Sequence, residues 1–262
     1  VFTILWKKVI RLLAKTLLTF TRRTRMISIK SIIIAVIAIV LSLGFLIFVT
    51  QYYDPDNWWA LGLYVGVMTA VFGGWILLVG RSSYKENPLK TMDFAMIAMF
   101  AALIRVVDFG SMYVPGLTVL YNVAPQIAGP ILYYLPLGIV LAAALKLVPK
   151  PGAAFTLLFV DGIISLIFYG DPIWLTRGLV SALGLEAYYI SSNRGTLSSI
   201  VLMGLMYGIM HGASASIYMT YSWSYWRPLF DTLPSAILSG VFMCATTFLG
   251  YALGERAKTV MY

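Results

Sequence analysis

The sequence predicts an all-α integral membrane protein of eight transmembrane helices, and three observations lead there. Of 262 residues, 60% are hydrophobic and 11% charged, with a mean hydropathy of +0.87, whereas a soluble domain carries about 25% charged residues. Apolar runs of about 20 residues, the length needed to cross a hydrocarbon layer of roughly 30 Å, recur along the chain. Between them stand short polar or helix-breaking segments that punctuate the spans.

Residues 1–27 predict a basic amphipathic helix lying on the membrane. Lys8, Arg11, Lys15 and Arg22 fall on one helical face, with Trp6, Leu13, Leu17 and Phe20 on the other. No small-residue cleavage site of a signal peptide follows. The eight spans are expected near 29–50, 58–80, 92–112, 123–148, 151–169, 173–192, 196–220 and 229–254. Their punctuation is Asp54-Pro55-Asp56, Asn87-Pro88, Pro149-Lys150-Pro151-Gly152, Gly170-Asp171-Pro172, Asn193-Arg194-Gly195 and Arg227-Pro228.

Charge supplies an independent test of this topology. With the N-terminus cytoplasmic and the chain alternating sides, all of the 19 Lys and Arg residues except Arg105, Arg177 and Arg227 fall on the cytoplasmic side. That bias is the positive-inside rule, and it predicts a multi-pass protein of the cell membrane with both termini cytoplasmic. The opposite ends carry Asp54, Asp56, Tyr113, Asp171 and the aromatic stretch Tyr221 to Trp226, in keeping with interfacial enrichment of Trp and Tyr. The net charge of +9 is thereby explained by orientation and lipid head groups, and nucleic acid is not an expected partner.

The chain divides at about residue 87. Residues 28–87 hold two plain spans, and residues 88–262 hold six spans with most of the membrane-embedded ionisable groups. Each such group costs at least about 2.5 kcal/mol at a span centre and requires a partner or a cavity. Arg105 and Asp108, three residues apart, can pair along one helix. Asp161 falls close to the middle of its span. Substrate contact, proton relay and pairing are open to it, with Arg177 as the evident opposite charge. Glu186, in Gly184-Leu185-Glu186, can meet a ligand, or simply a backbone group or an arginine. His211, the single histidine, shares a helical face with Tyr207, Ser214 and Tyr218, and in a bundle such a residue more often packs than ligates a metal. The candidate substrate-binding residues are Glu186, Asp161, Arg177, His211, Trp174, Tyr207, Trp223 and Asp108. Tyr218, Tyr221, Trp223, Tyr225 and Trp226 form either an aromatic lid or an interfacial belt.

The fourth span is interrupted by Pro125, Gly129, Pro130, Pro136 and Gly138, a pattern tolerated where the freed backbone lines a cavity or is buried in protein. The third carries a small-residue surface of Ala95, Ala98, Ala101 and Ala102 suited to close helix contact. The single cysteine, Cys244, forms no intrachain disulfide. There is no Walker A sequence, no His-Glu-x-x-His and no Ser/His/Asp arrangement with a glycine elbow. Neither an enzyme nor a metal or cofactor site is expected.

Lys150-Pro151-Gly152-Ala153-Ala154, Gly170-Asp171-Pro172, Gly178-Leu179-Val180 and Leu183-Gly184-Leu185-Glu186, at these spacings, resemble the YkoE family over about residues 90–258. Its members are substrate-binding S components of energy-coupling factor (ECF) importers, assigned to thiamine or its hydroxymethylpyrimidine precursor. The resemblance implies a six-helix S-component-like bundle over 88–262, preceded by the two extra helices and the amphipathic one. It further implies a ligand site open to the exterior, with Glu186 matching the family's glutamate. Ala95, Ala98 and Ala102 would dock on the transmembrane T subunit, and separate cytoplasmic ATPases would supply the energy. The alternative from another class is an accessory or structural subunit without a ligand.

Overall fold

Eight long helices make up most of the described residues, one on each of the expected apolar runs. They are α1 (Ile29–Gln51), α2 (Trp59–Glu86), α3 (Thr91–Met112), α4 (Pro130–Leu147), α5 (Ala153–Tyr169), α6 (Ile173–Ser191), α7 (Leu197–Ser222) and α8 (Leu229–Met261). The structure, a computed structural model, describes residues 27–54, 58–112, 124, 127–128, 130–222, 224 and 226–261, with the side chains of 108–112 and 261 outside that set. The expected surface helix over residues 1–27, apart from its last residue, lies outside the described residues, as do the side chains of Asp108 and Trp223.

Five of the helices, α1, α2, α4, α7 and α8, are long and apolar enough to cross a membrane, and α5 is a shorter apolar helix of 17 residues. Large apolar side chains stand fully outward on several of them, Leu78 at 85% exposure and Phe230 at 74% among them. Such a surface is costly in water and ordinary in lipid. The chain is an all-α, multi-pass membrane protein.

Two helices run more than a turn past their expected ends, and contacts accompany both extensions. Helix α2 continues through a π-helical turn at Ile76–Gly80 to Glu86, where the Tyr84 hydroxyl donates to Glu186 at 2.8 Å. Helix α8 continues past residue 254 because Lys146 of α4 holds its last turns. The ammonium pairs with Glu255, donates to the Tyr251 hydroxyl at 3.0 Å and lies 4.3 Å from that ring's centre.

Helix α7 is the core of the bundle, with Met203, Tyr207, Met210, His211, Ala213 and Tyr218 all buried. Its broadest contact is with α8, and α1 packs along it as well. Helix α2 packs mainly on α6, where Trp75 Nε1 donates to Ser191 Oγ at 2.7 Å. The two N-terminal helices are therefore seated on the other six.

Helices α5 and α6 form an antiparallel hairpin, and the sequence of its turn explains why. Gly170, at φ +69°, takes the left-handed conformation that ends a helix and donates its N–H to Leu166 O at 2.9 Å. Asp171 then accepts from the Ile173 amide at 3.0 Å, and Pro172 precedes the first helical residue. Further along, Gly162 and Gly178 let the two backbones touch. A Cβ on Gly178 would stand 2.6 Å from the Gly162 Cα. Since backbone cannot yield as a side-chain tip does, Gly178→Ala is expected to cost about 1–3 kcal/mol of stability. Gly44→Ala, mid-helix with nothing within 4 Å of the added atom, should leave the melting temperature in detergent no lower and raise it slightly, since alanine favours a helix interior by about 0.5–1 kcal/mol.

Candidate functional site

Two polar centres lie toward opposite ends of the α5–α6 hairpin. Arg177 is four residues into α6 beside the 170–172 turn. Glu186 follows nine residues later, about 14 Å along the helix axis, beside the Pro151-Gly152 turn.

The first centre is a cavity between α3, α5, α6 and α7, walled by Arg105, Asp161, Trp174, Arg177, Tyr207 and His211, with Ser165 and Ser181 between them. Its closed volume is about 10 Å³, room for about one water and far below the roughly 300–1,000 Å³ common for small-molecule sites, so a ligand of that size enters only as the surrounding side chains move apart. The Gly162–Gly178 contact forms part of its floor. Close approach of α5 and α6 is thus what places Asp161 and Arg177, each one residue before a glycine, on the same cavity.

Their partners differ from the sequence expectation. Asp161 pairs not with Arg177 but with Arg105 of α3, Nε to Oδ1 at 2.5 Å and Nη2 to Oδ2 at 2.7 Å. Both residues are buried. Helix α3 packs on α5, and the guanidinium fork matches both carboxylate oxygens in a way that a single contact from Arg177 would not. The expected partnership of Arg105 with Asp108 lies outside the described side chains.

Arg177 turns instead toward α7. Its Nη2 lies 3.2 and 3.1 Å from Nδ1 and Nε2 of His211, and its guanidinium carbon is 5.2 Å from the centre of the Trp174 ring. The side chain is only 9% exposed, and its Nε is buried without a hydrogen-bond acceptor. Around His211 the rings close in. Tyr133 stacks on it at 5.6 Å, Tyr207 is tilted at 5.2 Å, and the Tyr134 hydroxyl is 3.1 Å from Nδ1. Tyr169 lies against Trp174 at 4.9 Å.

Tyr133 and Tyr134 were not singled out by the sequence. The available signal was an adjacent aromatic pair on the proline-broken fourth span, whose freed backbone was expected either to line a cavity or to be buried in protein. They sit at the end of the π-helical turn Pro130–Tyr134 that opens α4.

Glu186 belongs to the second centre. It is fully buried and accepts from the Gly152 amide at 2.7 Å, the Phe155 amide at 3.0 Å and the Tyr84 hydroxyl at 2.8 Å. The amides are unsatisfied donors of the first turn of α5, made available because Gly152, at φ +88°, turns the chain into that helix. A carboxylate at a helix N-terminus is also favoured by the helix dipole. Of the roles open to Glu186, binding backbone is the one seen. It joins α2, α5 and α6 and lies apart from the cavity.

Other ionic contacts gather near the same end as Glu186. Lys150 donates to Asp93 at 2.5 Å, Asp93 also accepts the Lys90 amide at 2.7 Å, and Lys146 donates to Gly195 O at 2.9 Å. Ala95, Ala98 and Ala102 are exposed on α3, whereas Ala101 is buried. From the aromatic stretch, Tyr221 meets Tyr53 and Trp58 at 5.3 and 5.9 Å, and Trp226 Nε1 donates to Thr50 O at 3.4 Å. Those rings link α7 and α8 to the segment joining α1 and α2.

Chemically, the cavity is equipped for binding. It offers donors, aromatic faces and a paired Arg–Asp in a small polar space. Among the described residues no three His, Cys, Asp or Glu side chains assemble as a metal site. Comparison with protein-family models, with curated proteins and with solved structures finds no match to this chain.

Proposed function

We propose that this chain is the membrane-embedded substrate-capture subunit of an ECF-type importer, gripping a small, flat, vitamin-like molecule in the cavity between α3, α5, α6 and α7. The observation that carries it is the cavity's wall, in which Arg105, Asp161, Arg177 and His211 converge with Trp174 and Tyr207 inside a largely apolar bundle. Ionisable groups are rare in membrane helices and concentrate on substrate paths. The motif resemblance nominates thiamine, hydroxymethylpyrimidine or a related vitamin.

The topology proposed with it is eight crossings, with both termini cytoplasmic. The cavity then lies in the outer half of the bilayer, toward the 170–172 turn. The exposed Ala95, Ala98 and Ala102 form the docking face for the T subunit. The extra helices α1 and α2 are permanent parts of the binding subunit, since they pack on α6 and α7. In a Cys244→Ala background, a cysteine at the exposed Tyr52 should react with an impermeant reagent from outside and one at the exposed Lys85 only after the membrane is opened. Labelling of both from the same side would contradict the proposed topology.

Function is tested by tagging the chain in its native membrane. Copurification of cytoplasmic ATPases and release of one abundant small molecule on denaturation are expected. The rival, an accessory subunit whose ionisable groups serve only as internal pairs, draws support from the mutual satisfaction of Arg105 and Asp161. It expects a large complex without a released small molecule.

A further inference from the structure

Arg177 is the group in the cavity whose situation is incomplete. Arg105 has a bidentate carboxylate, and Asp161 has that guanidinium. Arg177, 9% exposed, has as its polar partner a histidine ring. A guanidinium is permanently charged and only donates hydrogen bonds, so an imidazole can offer it a lone pair but no opposite charge. Among the described residues no carboxylate lies within ion-pair distance of it, and its Nε stays buried with no acceptor. Trp174 covers one face of the guanidinium. The Nε donor is therefore left unmet in this structure.

We propose that Arg177 is an anion receptor, and that the cavity's ligand carries a carboxylate or phosphate that meets its Nε edge while a flat ring lies among Trp174, Tyr207 and His211. This deepens the reading of the cavity as a ligand site and rests on it, while narrowing the ligand to a related vitamin that carries an anion and setting thiamine and hydroxymethylpyrimidine themselves aside. Arg177 has no carboxylate within ion-pair distance among the described residues, so an anion supplies the missing opposite charge and a cationic ring such as unmodified thiamine does not. Arginine suits the task because its planar fork matches both carboxylate and phosphate geometry.

The test uses the purified full chain in nanodiscs with three probes of one shape: benzoate, phenyl phosphate and uncharged benzamide. Benzoate or phenyl phosphate is expected to raise the melting temperature and quench tryptophan fluorescence saturably, with benzamide at least about tenfold weaker, the loss usual for an unmet charged hydrogen bond. Which anion binds tighter separates a carboxylate from a phosphate ligand. Arg177→Met should abolish the difference between anion and amide, and Arg177→Lys should keep part of it. Without ligand, Arg177→Met is expected to melt no lower than the wild type, because it removes an uncompensated buried charge. A purely structural arginine would make that variant melt lower.

Equal responses to benzoate and benzamide, or none to any probe, would overturn the anion receptor. Release of an uncharged or cationic molecule from protein that still copurifies with ATPases would overturn it while leaving the capture subunit standing. Arginine-dependent anion binding by a chain that recruits no ATPase would do the reverse.

Discussion

Replacing Asp161 with alanine is expected to destabilise the bundle by about 3–5 kcal/mol, the usual cost of breaking a buried ion pair by removing one partner. Arg105 would keep its charge at 4% exposure with both oxygens of its partner gone. In practice the variant should lose its monodisperse peak in detergent gel filtration, or melt many degrees lower. Removing both charges separates loss of the pair from loss of the residue. Arg105→Met with Asp161→Leu is expected to recover most of the stability, because an apolar pair of similar volume replaces a costly polar one. Failure of the double variant to recover would mean that Asp161 answers to a group other than Arg105.

The second large effect concerns Glu186. Glu186→Ala strands the Gly152 and Phe155 amides and the Tyr84 hydroxyl. With each unsatisfied buried donor worth about 1–3 kcal/mol, a loss near 3 kcal/mol is expected even after partial relaxation. Hydrogen exchange should speed up at the first turn of α5, which marks the change as local fraying of that helix. Tyr84→Phe removes one of the three donors and is expected to cost about 1 kcal/mol. If Glu186 were instead a ligand contact, its replacement would spare the α5 amides and abolish binding.

These two residues show how far the sequence could be read. Apolar run length and the punctuating Gly, Pro and Asp residues locate every described helix, because lipid imposes the run length and glycine or proline imposes the breaks. Even the Gly170-Asp171-Pro172 turn was readable as a stop and restart. Partner choice was not. Asp161 had Arg177 as the apparent opposite charge, yet which arginine it meets depends on α3 lying against α5, a fact of tertiary packing without a local sequence signal. Glu186 likewise meets amides more than thirty residues away, and only the fold places a helix N-terminus beside it. The cost of burying an ionisable group drew attention to Arg105, Asp161, Arg177 and His211, which line one cavity, and equally to Glu186, which lies apart from it. It could not divide them into pairs.

The two N-terminal helices illustrate the same limit. Plain composition marked them as separable from the other six, but Trp75 and Tyr84 reach into α6 at Ser191 and Glu186. Both contacts use polar groups that look like interfacial ornaments in the sequence alone.

The most direct test of the cavity as a capture site is mass spectrometry of small molecules released by denaturing the protein purified from its native membrane, with Arg177→Met prepared in parallel. One molecule near stoichiometric amount in the wild type, lost from a folded Arg177→Met protein, is the expected result. The same molecule at equal occupancy in both, or nothing above background in either, would contradict the assignment of the site.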